Sequence, residues 1–582
     1  MKEMASSLKR LLTYIKPYKW LFTCSLILSV IWVIASAAMP YMLGLVTSSI
    51  TNRLLQHQPV DMHEVLRLVI LFALVNVVSL VAQYGANASI TVVVQNSMYD
   101  LRNDIAKKIN RLPVSYFDYH KQGDLLSRVT NDVDALSNAL QQGFINLLTS
   151  ILSITAVLVI IFLMNVKLAC VIVLMIPLTA LLAKALVHYS QPYFKKQQDA
   201  LGSLQGFVQE SMSGFNVIKL YGQEEYMEHK FGQANSKLMH YGFRAALLSS
   251  FMMPLTNMVT YGTYLTVGTL GSIYALQGIL TVGEVQAFIQ YVWQMNQPLS
   301  QISQLSGVLQ GATAGMKRIF ALLDEPEEVV TDELTVPADI KGQVEIKHVD
   351  FSYYPDQPLI EELNLNIQPG QTVAIVGPTG AGKTTFVNLL MRFYEVNKGE
   401  ILIDGIDMRK VKQQKMRQLF GMVLQDAWLF EGTVMENLRF GNLEATDEEI
   451  MQVAKDVNIH EYIEALPEGY QTYISSDNQY LSQGQMQLLT IARAVLSNPK
   501  ILILDEATSS VDTKIEAKIQ EAMDYVMENR TSFVIAHRLS TIKEADLILV
   551  MEHGKIMEHG THDELLAQGQ IYSQLYHSQF EA

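Results

Sequence analysis

Nine residues, Gly377 to Thr385, read GPTGAGKTT, with the types and spacing of a loop that grips phosphate. Gly377, Gly380 and Gly382 permit close backbone approach, so that consecutive N–H groups, with those around Pro378, Thr379 and Ala381, can point at phosphate oxygens. A helix that begins here adds its positive N-terminal end. Lys383 is placed to pair with the β and γ phosphates, and the Thr384 hydroxyl to ligate Mg²⁺, with Thr385 beside it. Further along, the apolar run ILIL ends in Asp505 and Glu506. Asp505 can hold Mg²⁺ through water, and Glu506 stands in reach of an attacking water. Phosphoryl transfer needs mostly positioning and charge neutralisation, so one carboxylate for metal and one for water suffice. An isolated Asp-Glu pair would be only an acidic strand end; downstream of a phosphate loop it reads as ATP chemistry.

The elements that must position these groups are legible nearby. QTVAIVG reads as a strand ending in the phosphate loop and FVNLLMRFY as the helix after it. ILILDE and TSFVIAH read as two further buried strands. Short β-rich runs alternating with helical ones predict a mainly parallel α/β nucleotide-binding domain over residues 341–582. Before it, Leu322–Ile340 is rich in acid and Pro, which predicts a linker over 321–340.

Residues 1–320 have another character. The chain is 49% hydrophobic with mean hydropathy +0.17 although 17% of its residues are charged, so an apolar part is joined to a polar one. Six segments have the length and apolarity of membrane spans: Trp20–Val46, Val65–Val92, Gly143–Met164, Val166–Tyr189, Ala246–Leu276 and Gly283–Leu305. Asn165 reads as a tight outer turn and Gln277–Gly278 as another, whereas 93–142 and 190–245 are long, helical connections. Basic residues concentrate in the N-terminal segment and those two connections (Lys9, Arg10, Arg102, Lys108, Lys195, Lys237), with little opposite beyond Arg53 and Lys167. Both termini and both long loops are therefore expected on the cytoplasmic side. Residues 8–19 read as an amphipathic helix on the inner membrane surface. Leu112–Leu136 and the stretch from Gly214 to Tyr226 each place a short turn-bounded helix at a loop tip, where it can dock on the nucleotide domain.

The spans hold no obvious buried charge pair; Glu284 and Lys184 fall near span ends and are expected to face water. Met252, Met253, Tyr261, Tyr264, Tyr291, Trp293 and Met295 would suit bulky apolar or amphiphilic cargo, but equally helix packing. Cys24 and Cys170, both in apolar stretches, are expected to be buried, and offer no disulfide framework or zinc site. The net charge of -14 argues against nucleic acid as the main partner.

With these motifs in order, the chain resembles the ABC transporter family over essentially its whole length. Leu481-Ser482-Gln483-Gly484-Gln485 resembles the family's signature loop, which other phosphate-loop families lack. Tyr353, with Tyr354 as the near alternative, resembles the aromatic that stacks on adenine. Gln425 resembles the glutamine that senses Mg²⁺ and contacts the membrane half, Asp512 the loop crossing the dimer interface, and His537 the switch histidine at the γ-phosphate. The order of domains resembles an exporter-type half-transporter: a six-helix all-α transmembrane domain followed by an α/β ATP-binding domain. The resemblance implies an ATPase that works as a dimer in the plasma membrane, Ser482, Gly484 and Gln485 of one chain closing over ATP and Mg²⁺ on the other. The family signature usually reads Leu-Ser-Gly-Gly-Gln, and a Gly-Glu-x-Gly-like stretch usually stands where this chain has Asp477-Asn478-Gln479-Tyr480. Both departures resemble the catalytic-glutamate subunit of heterodimeric bacterial multidrug exporters. That implies export of hydrophobic or amphiphilic compounds by a heterodimer, this chain supplying Glu506 and His537 to the competent site. A homodimeric multidrug pump and a lipid or peptide exporter of the same architecture stay open. The missing protease domain ahead of the first span disfavours the peptide-processing type, and intact Glu506 and His537 speak against a gated channel or non-transporting regulator.

Overall fold

A computed structural model describes the chain apart from residues 1, 329–333, 335, 338, 355, 476–479, 506–512, 537–538 and 581–582; within helices, the side chains of 2–6, 8, 144, 183, 299–300, 302–310, 513, 540 and 579–580 also lie outside the description. The chain forms two compact units, Met1–Asn110 with Gln122–Glu325, and Arg111–Lys121 with Pro326–Ala582.

The first unit is all helix. α1 (Lys2–Ile15) yields at Pro17 to a single 3₁₀ turn, Lys16–Tyr18, and α2 (Lys19–Leu55) follows. The Asp61 carboxylate accepts from the backbone N–H groups of His63 and Glu64 and so starts α3 (Met62–Ile109). The loop beyond α3 carries α4 (Val114–Tyr119), the short helix expected at the first loop tip. α5 (Gln122–Met164) contains two π-helical stretches, Arg128–Asp132 and Ala139–Phe144. Asn165, the expected tight turn, caps α6 (Val166–Ser213) by accepting from Lys167 and Leu168 N–H. The second tip helix is α7 (Phe215–Tyr221), ended by Gly222 at φ 60°. α8 (Glu224–Ser250), α9 (Met252–Leu276) and α10 (Val282–Asp324) complete the unit.

Among the described residues, α2, α3, α5 and α6 are long and apolar enough to cross a membrane. α9 and α10, where the fifth and sixth spans are expected, fall short of that measure. α9 is diluted by Thr, Tyr and Gly, and α10 by repeated Gln. α10 also runs into the stretch expected to be linker, ending at Asp324. Glu284 does not merely face water: its carboxylate accepts from Thr281 N–H at 2.7 Å and closes a capping box at the start of α10.

Val157, Ile161, Leu168, Ile172, Phe288 and Val292 form the core of this unit. Tyr291 and Met295, two of the seven candidate cargo-lining residues, belong to it as well, and the Tyr291 hydroxyl donates to Ala37 O at 2.8 Å. α2 and α10 cross so closely that a Cβ on Gly283 would sit 1.8 Å from Gly44 O. Cys24 and Cys170, expected buried, are exposed. Their helices turn the neighbouring Ser25 and Ala169 inward instead, leaving the thiols on outer faces that suit a membrane's apolar interior.

The second unit is the expected α/β domain. β1 (Val344–Phe351) and β2 (Ile360–Ile367) pair antiparallel. β3 (Thr372–Val376) is followed by the phosphate loop and α11 (Lys383–Leu390). β4 (Lys398–Ile403) and β5 (Ile406–Asp407) complete a four-stranded sheet in the order β2-β1-β4-β5. β6 (Phe420–Val423), β7 (Gly432–Thr433) and β8 (Tyr473–Ile474) precede α12 (Gln483–Leu496). Beyond it come β9 (Ile501–Asp505), α13 (Thr513–Met527), β10 (Thr531–Ile535), β11 (Leu547–Glu552), β12 (Lys555–Gly560) and the terminal α14 (Ile571–Phe580). The six-stranded sheet runs β12-β11-β3-β10-β9-β6, parallel except at β12. Its central strands are apolar on both faces, as strands covered on both sides must be.

Candidate nucleotide site

Register places the chemistry at one edge of the parallel sheet. Ile535 of β10 pairs with Ile375 on one side and with Asp505 on the other, and Leu504 pairs with Val423. The carboxyl ends of β3, β10, β9 and β6 are therefore level. They carry the phosphate loop, the segment leading to His537, Asp505, and the segment leading to Gln425. In open α/β sheets this is the edge where ligands bind.

The loop itself is shaped by glycine. Gly377, Gly380 and Gly382 have φ of 153°, 83° and 101°. At Gly377 a Cβ would lie 2.2 Å from Met551 O, so no side chain fits without moving β11. Behind the loop, Gly554 N–H donates to Ala381 O at 2.9 Å. A Cβ on Gly554, at φ 76°, would strike Leu359 O at 1.6 Å. In the sequence Gly554 reads only as a turn residue, because its partners are remote along the chain.

Pro378, Thr379, Gly380 and Thr384 are exposed along the loop, and Thr385 is buried. Lys383 Nζ donates to Gly377 O at 2.6 Å and to Pro378 O at 3.1 Å. Burial pushes its ammonium pKa below the usual lysine range, while the charge of Asp505 works the other way. The ammonium is thus held by neutral carbonyls in a place where an anion would suit it better.

Tyr353 is tied to this loop: its hydroxyl shares a 3.1 Å hydrogen bond with Thr385 Oγ1, and its ring meets Phe351 and Tyr394 edge-on. Tyr354 stands 51% exposed. Both line an open groove of about 520 Å³ with Asn388, Tyr394, Asp118 and Tyr119. The last two belong to the first tip, for Arg111–Lys121 is part of this unit. There Tyr119 donates to Tyr353 O at 3.3 Å, Tyr394 donates to Asp118, and Arg111 O accepts from Glu328 N–H at 2.9 Å. The tip expected to dock on the nucleotide domain does so, beside the aromatic pair.

Ser482, Gly484 and Gln485 form a separate construction. Ser482 is the cap of α12: its hydroxyl accepts from Gln485 N–H, and Gln485 Oε1 accepts from Ser482 N–H at 2.8 Å. Gly484 is buried, whereas Ser482 and Gln483 point outward. Gln483 occupies the first helical position, where any side chain is tolerated, so its presence costs this helix nothing locally. Among the described residues no hydrogen bond joins this cap to the phosphate loop. Gln425 is exposed beyond β6, followed by exposed Trp428 and Phe430. Glu506, Asp512 and His537 lie outside the described residues.

Two features have no obvious signal in the sequence. Arg493 of α12 is half-buried, and desolvation pushes its pKa below the arginine range. It donates to Asn437 O and Asn437 Oδ1 and to Trp428 O, and lies over the rings of Phe430 and Phe440. It links the signature helix to the segment after Gln425. The second feature is α14, whose Tyr572 and Tyr576 close a cavity of about 220 Å³ against Gly377, Thr379 and Lys383. Tyr572 meets His562 Nδ1 at 2.6 Å, and burial, then the charge of Tyr576, push its phenol up to about 12.

Residues 22–299 match the family model described as ABC transporter transmembrane region, and residues 360–509 the one described as ABC transporter. The chain belongs to the ABC transporter family. It is similar to a fatty acid ABC transporter ATP-binding/permease protein of Mycobacterium bovis, 46% identical over 83% of this chain and 76% of the relative. A putative multidrug export ATP-binding/permease protein of Bacillus subtilis, YgaD, is 34% identical over 98% of both. An ATP-dependent lipid A-core flippase of Syntrophus aciditrophicus is 35% identical over 84% of this chain and 81% of the relative. As an ABC transporter of half-transporter build, with apolar helices ahead of an ATP-binding domain, the chain is an ATP-hydrolysing membrane transporter.

Proposed function

We propose that this ABC transporter is one half of a dimeric exporter that uses ATP hydrolysis to move hydrophobic or amphiphilic compounds out across the plasma membrane. The observation that carries the reading is the coupling of two halves in one chain. Phosphate loop and Asp505 share one sheet edge, and the same chain supplies four helices of membrane-spanning length and apolarity. The relatives' printed cargoes, fatty acid, drugs and lipid A-core, are all hydrophobic or amphiphilic.

In this reading ATP lies along the loop from Gly377 to Thr385, its base against Tyr353 or Tyr354. Thr384, Asp505 and Gln425 offer only oxygen donors, the kind Mg²⁺ prefers. Held by these residues, Mg²⁺ would supply neutralisation of phosphate charge. Glu506 polarises the attacking water, and His537 contacts the γ-phosphate. The cap at Ser482, Gly484 and Gln485 stands free of the phosphate loop in this chain, which fits a role over the nucleotide of a second chain.

A second chain also suits the α6–α8 hairpin. At its tip Phe215, Val217, Leu220 and Tyr221 are 55–78% exposed, an apolar surface that favours a covering partner. Gln483 in place of the first signature glycine favours a partner unlike this chain, and Asp512 would lie at their interface. The concentration of Lys and Arg in the N-terminal segment and long loops supports a cytoplasmic position for the termini and the nucleotide domain.

The chain, purified with any second chain that accompanies it and reconstituted in liposomes, is expected to hydrolyse ATP faster when amphiphiles are added. A flat response to every amphiphile would sink the export reading. Strong activity of the chain alone would favour a homodimer over a heterodimer.

A further inference from the structure

Glutamine recurs along α10 at 286, 290, 294, 297, 301 and 304. Steps of three and four keep all six on one face of a helix. At membrane depth an amide turned toward lipid tails has nothing to bond, so such a row faces protein or an aqueous path. Three of the six are engaged within the unit. Gln286 Oε1 accepts from Thr47 at 2.6 Å, Gln294 Nε2 donates to Ser36 O at 3.2 Å, and Gln301 Oε1 accepts from Ser150 at 3.0 Å.

Gln290 and Gln297 differ. Neither has a hydrogen-bond partner among the described residues, and neither is buried. Trp293 stands between them, 44% exposed, with its ring edge-on to that of Tyr261 at 5.6 Å. Tyr261 is itself 52% exposed on α9. This strip therefore joins two free amides to two aromatic faces. It also lacks charge: no Asp, Glu, Lys, Arg or His occurs in α9, or in α10 from Val285 to Met316. A fixed charge brought here out of water would find no counter-ion on α9 or on this stretch of α10, whereas an uncharged polar group could bond to both amides.

We propose that Gln290, Trp293, Gln297 and Tyr261 form the contact strip for the polar end of the cargo, and that this end is uncharged: an amide, alcohol, ester or protonated carboxyl group on an apolar tail. The proposal rests on the export reading and names the cargo class that reading leaves open.

The test uses the full-length chain, with any second chain that copurifies, in liposomes. ATPase is titrated with three amphiphiles of equal tail length: an alkyl amide, an alkyltrimethylammonium and an alkyl sulfate. The amide is expected to half-stimulate at the lowest concentration. A Gln290→Leu, Gln297→Leu double variant raises that concentration about tenfold, as the loss of one or two hydrogen bonds requires. Gln290→Glu shifts the preference toward the trimethylammonium compound. Equal stimulation by all three heads, or no shift in the double variant, overturns the strip while leaving the export reading intact. No stimulation by any amphiphile of the unmodified protein overturns both. Accessibility gives an independent measure. With Cys24 and Cys170 replaced by Ser, Gln297→Cys is expected to react with a hydrophilic maleimide and to be protected by the alkyl amide. No reaction under any condition would put this face against a second chain or lipid, and overturn the proposal.

Discussion

Replacing Glu506 by glutamine is expected to lower ATP hydrolysis about a hundred- to ten-thousand-fold, the usual worth of a positioned general base, while leaving nucleotide binding near its unmodified level. Glutamine keeps the size of the side chain and loses only the charge that polarises water. Asp505, which immediately precedes it, remains to serve the metal, and the phosphate loop is untouched. Single-turnover hydrolysis and binding of a fluorescent ATP analogue separate the two effects. Hydrolysis at the unmodified rate by dimers carrying Glu506→Gln would remove this residue from the chemistry.

Lys383→Met is expected to do the opposite, abolishing binding itself and raising the ATP dissociation constant at least about a hundredfold. Among the described residues the half-buried Lys383 ammonium is bonded to the carbonyl oxygens of Gly377 and Pro378. Desolvation disfavours the charge there, and triphosphate supplies the counter-charge that restores it. Methionine fills similar space without that charge. Thermal stability of the nucleotide-free Lys383→Met protein should therefore be equal or slightly higher, and the stabilisation normally produced by added ATP should vanish. Tm shifts with and without ATP test both halves; an unchanged ATP-dependent shift would contradict the assignment.

The nucleotide half was largely legible because its signals are local. GPTGAGKTT, ILILDE and TSFVIAH each carry their strand or loop within one short window, and β3, β9 and β10 lie where those windows predict. What could not be read is set by remote partners. Gly554 looks like any turn glycine until Ala381 and Leu359 are placed beside it. Tyr353 and Tyr354 are adjacent and alike, and only remote partners distinguish them: Tyr353 bonds Thr385 and packs on Phe351 and Tyr394, while Tyr354 is exposed. Arg493 sits in an apolar helical pattern where its buried contacts with Asn437 and Trp428 leave no trace.

In the membrane half, apolarity marks helices but does not say which way a residue points. Cys24 and Cys170 were expected inside and face out, because an apolar side chain is equally content in a core or in lipid. Tyr291 and Met295 turned inward, while Tyr261 and Trp293 on the neighbouring surfaces did not. The weak apolarity of α10 has the same origin as its interest. The glutamines that dilute α10 are groups that lipid would not tolerate and that a protein partner or a polar path would, whereas Thr256, Thr260, Thr263 and Thr266 of α9 satisfy their hydroxyls on carbonyls of their own helix.

In the proposed function, ATP hydrolysis by this ABC transporter drives amphiphiles outward. Inside-out membrane vesicles containing it, loaded externally with a fluorescent amphiphile, test this most directly. ATP is expected to cause accumulation inside the unmodified vesicles and none in vesicles carrying Glu506→Gln. Accumulation that persists in the Glu506→Gln vesicles, or brisk ATP hydrolysis without accumulation of any amphiphile, would contradict it.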